Sequence, residues 1–157
     1  MNLSPEALTT ADLRGGLWTQ QLREQVRRGL RNQIAQGRWI GVAPLGYRNV
    51  RRKGGMRVEI DPGTATRVRQ AFHLAADGER PLRTTLLLLT DLGLRSRRGK
   101  PLTLAALRKV LTNPFYAGWM PFQGGLYAGM HRPLIETEVF EEVQRNLGLP
   151  STMNEEH

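Results

Sequence analysis

Arg95, Arg97, Arg98 and Lys100 place four cations within six residues, with no acid among them and one hydroxyl, Ser96, in their midst. A serine held by guanidinium groups can attack a phosphate, or it can contact a nucleic-acid backbone without chemistry. The second role is the expected one, and no catalytic residue is assigned. The other serines are Ser4 and Ser151. The chain has no Cys, which removes disulfides, thiolate nucleophiles and Cys-ligated zinc. Its three His lack metal-ligand spacing, so neither a metal nor a cofactor is expected. His131, next to Arg132, is read as a structural hydrogen-bonding group or a phosphate contact.

Polyanion recognition is the chemistry these residues can do. Just after the basic loop, Leu102 to Gly118 (LTLAALRKVLTNPFYAG) predicts a short helix. Thr103 caps it. Leu104, Leu107, Val110 and Leu111 share one side at helical spacing, and Asn113-Pro114 ends it. The other side carries Ala105, Ala106, Lys109 and Thr112, with Arg108 at its edge. A small, basic face of this kind suits a DNA major groove: methyl groups meet thymine, long cations meet guanine or phosphate. Taken alone, the helix reads better as an ordinary solvated one. A second basic group is Arg38, Arg48, Arg51, Arg52 and Lys53, set in the Gly-rich segment Gly37 to Tyr47 and the strand after it. Such a thin, Arg-bearing chain can enter a minor groove, or can be a surface loop and hairpin.

Charge points the same way. Lys plus Arg number 23 against 14 acids, a net charge of +9, and 20 of the 23 are Arg. Residues 1–132 hold 22 basic and 8 acidic residues, giving +14; residues 133–157 hold 1 and 6, giving −5. A basic body with an acidic end fits a polyanionic partner for the body alone. No apolar run reaches membrane-spanning length, and residues 1–18 lack a secretory core, so a cytoplasmic protein with no membrane partner is expected.

The elements that must position these residues can be read in order. Ser4-Pro5 starts a helix and Gly15-Gly16 interrupts it. A longer helix is predicted over Leu17 to Gln36. Its stripe Trp18, Leu22, Val26, Leu30, Ile34 drifts about 40° per step, beside a second stripe of Arg23, Arg27 and Arg31 with Arg28 adjacent. Gly54-Gly55 and the alternating Met56 to Ile60 predict a hairpin. Thr64 is expected to cap a helix to Asp77 that buries Ala65, Val68, Phe72 and Ala75. Leu82 to Leu92 is expected to be the most buried helix. Ala117–Phe122 and Leu126–Met130 predict a second hairpin about Gln123-Gly124-Gly125. Thr137 is expected to cap a last helix to Leu147, with Val139, Val143 and Leu147 inward. Helix, basic loop, helix, hairpin is the order of a winged helix-turn-helix.

Several segments also resemble one family, the large serine recombinases. Gly37 to Tyr47 (GRWIGVAPLGY) resembles the G-x-x-x-G-x-x-P-x-G-Y opening of their recombinase domain, and Ile60-Asp61 with Val68 and Phe72 resembles the helix that follows. Val110 to Gly118 (VLTNPFYAG) resembles I-L-x-N-P-x-Y-x-G with Val110 for Ile. Gly129 to Ile135 resembles G-x-H-x-P-L-I, followed by a similar helix over Val139 to Gln144. Leu22 to Gly29 resembles the end of the helix that leaves the catalytic domain. The likeness covers residues 17–147. It departs at Leu102, where the family often has an aromatic, and in lacking both the Tyr-x-Arg-x-Ser nucleophile motif and the Cys-based zinc ribbon.

The resemblance implies the DNA-recognition half of a recombinase that joins or excises DNA. The expected fold is mainly α with short β-hairpins (α+β), winged helix-turn-helix-like. Residues 1–36 form a connecting helix, 37–148 the DNA-binding domain and 149–157 a flexible tail. The expected activity is sequence-specific binding of duplex DNA at an attachment or element-end site, without catalysis by this chain, in company with other recombinase subunits. The expected contacts are Arg38, Arg48, Arg51, Arg52, Lys53, Arg95, Arg97, Arg98, Lys100, Thr103, Ala105, Ala106, Arg108, Lys109 and Thr112. The alternatives are a stand-alone winged-helix regulator or accessory factor, and a structural RNA-binding protein.

Overall fold

The computed structural model describes residues 19–150. The expected features at Ser4-Pro5, Gly15-Gly16 and Leu17-Trp18 lie outside them. The first helix, α1 (Gln20–Ala35), begins where the Thr19 side chain accepts from the Leu22 N–H at 3.0 Å. Its apolar stripe drifts as a four-residue repeat must: Leu22 and Ile34 are buried, whereas Val26 and Leu30 between them are only half-buried. Arg23, Arg27, Arg28 and Arg31 are exposed.

The irregular segment after α1 leads into an antiparallel hairpin, β1 (Tyr47–Arg52) with β2 (Gly55–Ile60), in register Tyr47↔Ile60 to Arg52↔Gly55. Gly46 just before it needs both freedoms of glycine. Its φ is +97°, and a Cβ there would sit 2.9 Å from Leu134 Cδ1.

Helix α2 (Pro62–Asp77) starts on Asp61, not on the expected Thr64. Pro62 fixes the first helical turn, and the Asp61 carboxylate accepts from the Gly63 N–H at 3.1 Å and from the Thr64 hydroxyl at 3.2 Å. Asp outranks Thr as a cap once Pro occupies the next position. Ala65, Val68, Phe72 and Ala75 are buried as expected, with Ala71.

Helix α3 (Leu82–Leu92) corrects a second expectation. It is not the most buried helix: Thr85 and Leu89 are buried, but Leu87 is 63 % and Leu88 41 % exposed. An eleven-residue helix packed on one side has room for only a few inward positions, so four consecutive leucines must wrap around to solvent.

After the basic loop come α4 (Leu104–Leu111), a 3-10 turn (Pro114–Ala117), and a second hairpin, β3 (Trp119–Phe122) with β4 (Gly125–Ala128). Its two-residue loop, Gln123-Gly124, has positive φ at both positions, as a type I′ turn requires. The last helix, α5 (Thr137–Asn146), begins at Glu136 with no side-chain cap, so Thr137 is its first residue rather than its cap. It buries Phe140, Val143 and Gln144, while Val139 and Leu147 are half-buried.

The two hairpins do not join into one sheet. Aromatics unite the elements instead. Tyr47 from β1 meets Phe115 edge-on at 5.1 Å, and Tyr116 packs against both Tyr47 and Phe72 from α2. Both buried phenols have acceptors: Tyr47 donates to the Arg132 carbonyl at 2.6 Å and Tyr116 to the Leu45 carbonyl at 2.5 Å. Burial raises the pKa of each above the ordinary phenol value.

Candidate nucleic-acid interface

Helix α4 is held from both ends and one side. The Thr103 hydroxyl accepts from the Ala106 N–H at 3.0 Å. At the far end, Asn113 Oδ1 accepts from the Phe115 N–H at 3.0 Å, which turns the chain into the 3-10 segment. Leu107 and Leu111 are fully buried, and the buried Gln144 amide of α5 donates to the Leu111 carbonyl at 2.7 Å. With that side sealed, Ala105, Arg108 and Lys109 are exposed, while Ala106 and Thr112 are half-buried. The Thr112 hydroxyl donates back to the Arg108 carbonyl at 2.8 Å.

The loop before α4 is closed on itself. Ser96 and Lys100 pair through the backbone at 2.7 Å, and the Ser96 hydroxyl accepts from the Lys100 N–H at 3.3 Å. Its four cations then divide. Arg95 donates to the Thr90 and Leu94 carbonyls at 2.9 and 2.8 Å, covering the end of α3. Arg97 donates to the carbonyls of Ala43 and Tyr47, so it bolts the loop to the segment that enters the first hairpin. Arg98 and Lys100 are exposed and hold no ion pair among the described residues.

On the first hairpin Arg48, Arg51, Arg52 and Lys53 are all exposed. The register splits them: Arg48 and Arg52 share one face, and Arg51 lies on the other with Tyr47 and Asn49. Arg52 grips Glu59 with two hydrogen bonds of 2.7 and 2.6 Å, which holds the Glu59 carboxyl below its ordinary range. Arg57, opposite Val50, belongs to the same face as Arg48 and Arg52. No run of basic residues marks it in the sequence; the strand alternation of Met56 to Ile60 is the signal that places it. Arg38 stands apart from this hairpin face, in a cleft beside Trp39.

His131 is structural rather than exposed to a phosphate. Its ring is 8 % exposed and stacks on Phe115 at 3.7 Å, and its Nε2 lies 2.6 Å from the Phe115 carbonyl. An N–H must sit on Nε2 to make that bond, so Nδ1 carries the lone pair, without a partner. Burial lowers the pKa, against the smaller upward pull of the Phe115 bond. Gly129 makes room for this ring: a Cβ there would fall 2.3 Å from His131 Nδ1. Trp39 packs edge-on against Phe115 at 5.1 Å.

The described residues contain no helix long and apolar enough to cross a membrane. No curated protein sequence matches this chain significantly. Solved structures share its fold. One, the crystal structure of an LSR–DNA complex (LSR, large serine recombinase), matches at a TM-score of 0.66 and 20 % identity over 79 % of this chain. Another, from work on the sequence requirements of the Listeria innocua prophage attP site, matches at 0.64 and 20 % over 80 %. This chain spans 38 % and 51 % of the two matched chains. A family model described as Recombinase matches residues 62–148, from the start of α2 to just beyond α5. That match takes in more than half of the sequence, and the chain belongs to the Recombinase family, sharing its fold with a large serine recombinase.

Proposed function

We propose that this chain is the DNA-recognition part of a serine site-specific recombinase, binding duplex DNA at an attachment or element-end site and performing no strand cleavage itself. The carrying observation is α4: one side sealed by Leu107 and Leu111, the other presenting exposed Ala105, Arg108 and Lys109. In this reading α4 enters the major groove, where Ala105, Ala106, Lys109 and Thr112 meet base edges, with Arg108 at the margin. Thr103, at the helix start, approaches phosphate. Arg98 and Lys100 contact the backbone beside it, and Arg95 and Arg97 chiefly shape their loop. Arg48, Arg51, Arg52 and Lys53, joined by Arg57, contact a flanking stretch. Residues 37–148 act as the recognition unit, and α1 connects it to a separate catalytic part in a cytoplasmic recombinase.

A titration on duplex DNA at several salt concentrations tests this, using the element's end sequence beside a scrambled one and an equal length of RNA. The Arg108→Ala/Lys109→Ala double variant should lose about 1–3 kcal/mol of the preference for the true site while retaining a steep salt slope. Equal affinity for scrambled DNA or for RNA would overturn the assignment of α4.

A further inference from the structure

A cleft of about 440 Å³ opens where the segment after α1, the first hairpin and the exit of the second hairpin meet. Its size falls within the range of small-molecule sites, about 300–1,000 Å³. The floor is tied by backbone: the Met130 N–H donates to the Gly37 carbonyl at 2.9 Å, and a Cβ on Gly37, whose φ is +84°, would collide with Met130 Cγ at 2.7 Å. Trp39 is fixed on one side by Phe115 and through its indole N–H, which donates to the Val42 carbonyl at 3.1 Å. Met56 and Met130, both cleft-lining, are 50 % and 65 % exposed. Methionine adapts its shape and makes favourable sulfur–aromatic contacts. The exposed Arg38, which holds no ion pair among the described residues, also lines the cleft, and its one acid, Glu59, is already neutralised by Arg52.

Apolar walls that favour a flat ring, together with a guanidinium at the same site, select an aromatic anion over a neutral or cationic ligand. We infer that this cleft binds one nucleotide, its base against Trp39, Met56 and Met130 and its phosphate at Arg38. The nucleotide is either a free mononucleotide or a base turned out of a strand, since the two share this chemistry. This site is distinct from α4 and goes beyond the function proposed above.

The test is NMR of the full chain carrying ¹³C-methyl methionine, with signals assigned through Met56→Leu and Met130→Leu. Deoxythymidine monophosphate, a single-stranded oligothymidine and a duplex are each titrated in, and duplex binding is measured separately by anisotropy. Met56 and Met130 should shift while the buried Met120 stays still, and Arg38→Ala, at an exposed position, should weaken the response about tenfold. A response to the mononucleotide identifies a free-nucleotide site; a response to the strand or duplex alone identifies a turned-out base. Silence of both methyls with all three ligands overturns the cleft as a site. Silent methyls with intact duplex binding remove the cleft and leave the reading of α4 standing. Responsive methyls without sequence preference on duplex remove that reading and leave the cleft.

Discussion

At the scale of single residues, His131 carries a measurable consequence of its burial. The unfolded chain binds a proton near the ordinary His value of 6.5, and the folded chain binds it only at lower pH. Between those two values the unfolded state holds more protons, so stability falls as pH drops below about 6.5 and is flat above it. Urea midpoints measured from pH 8 to pH 5 should show that decline, above the range where exposed carboxylates titrate. The His131→Gln variant, less stable overall, should lack the slope. A wild-type midpoint constant across this range would contradict a neutral buried ring. The sequence could offer His131 only as a hydrogen-bonding group or a phosphate contact. Burial by Tyr47 and Phe115 decides between them, and those partners come from 84 and 16 residues away in the chain.

Among the elements, α3 shows best where sequence reading stops. Its bounds, Leu82–Leu92, were legible because a run of helix formers ends at Gly93, whose φ is +105°. Its depth was not, since leucine at every position from 86 to 89 hides the helical period that distinguishes inside from outside. Leu89→Ala is therefore expected to cost about 2–5 kcal/mol, whereas Leu87→Gln, two residues away on an exposed face, stays within about 0.5 kcal/mol. Chemical denaturation of both variants decides this, and equal losses would mean that the outer face of α3 is covered in solution. In α4, by contrast, apolar residues at helical spacing opposite Ala, Arg and Lys marked the buried and open sides at once, and Leu107 and Leu111 lie where that pattern puts them. The cap of α2 moved to Asp61 because its carboxylate, one turn before Thr64, accepts from the Gly63 N–H, whereas α5 starts at Glu136 with no side-chain cap at all.

Across the whole molecule, the charge division legible in the sequence becomes a division of surfaces. The basic loop, α4 and the first hairpin carry the cations, and α5 carries Glu138, Glu141 and Glu142. What no linear pattern discloses is that two of the expected contact residues serve the fold. Arg97→Ala should lower both thermal stability and DNA affinity, because it frees the Ala43 and Tyr47 carbonyls that Arg97 satisfies. Lys100→Ala should leave the melting temperature within error and only reduce the salt slope of binding by about 1. The opposite pattern would make Arg97 a backbone contact and Lys100 a structural one. The Arg97 bridge also sets a scale for the target. It fastens the loop that precedes α4 to the strand that starts the first hairpin, so the two basic surfaces cannot slide past one another. On the proposed reading of both surfaces as DNA contacts, a site that satisfies both must present its two patches at one separation along the helix axis, and inserting or deleting a base pair between them should act like a register error. The spacing rule of the site is then written in a side chain that reads no base.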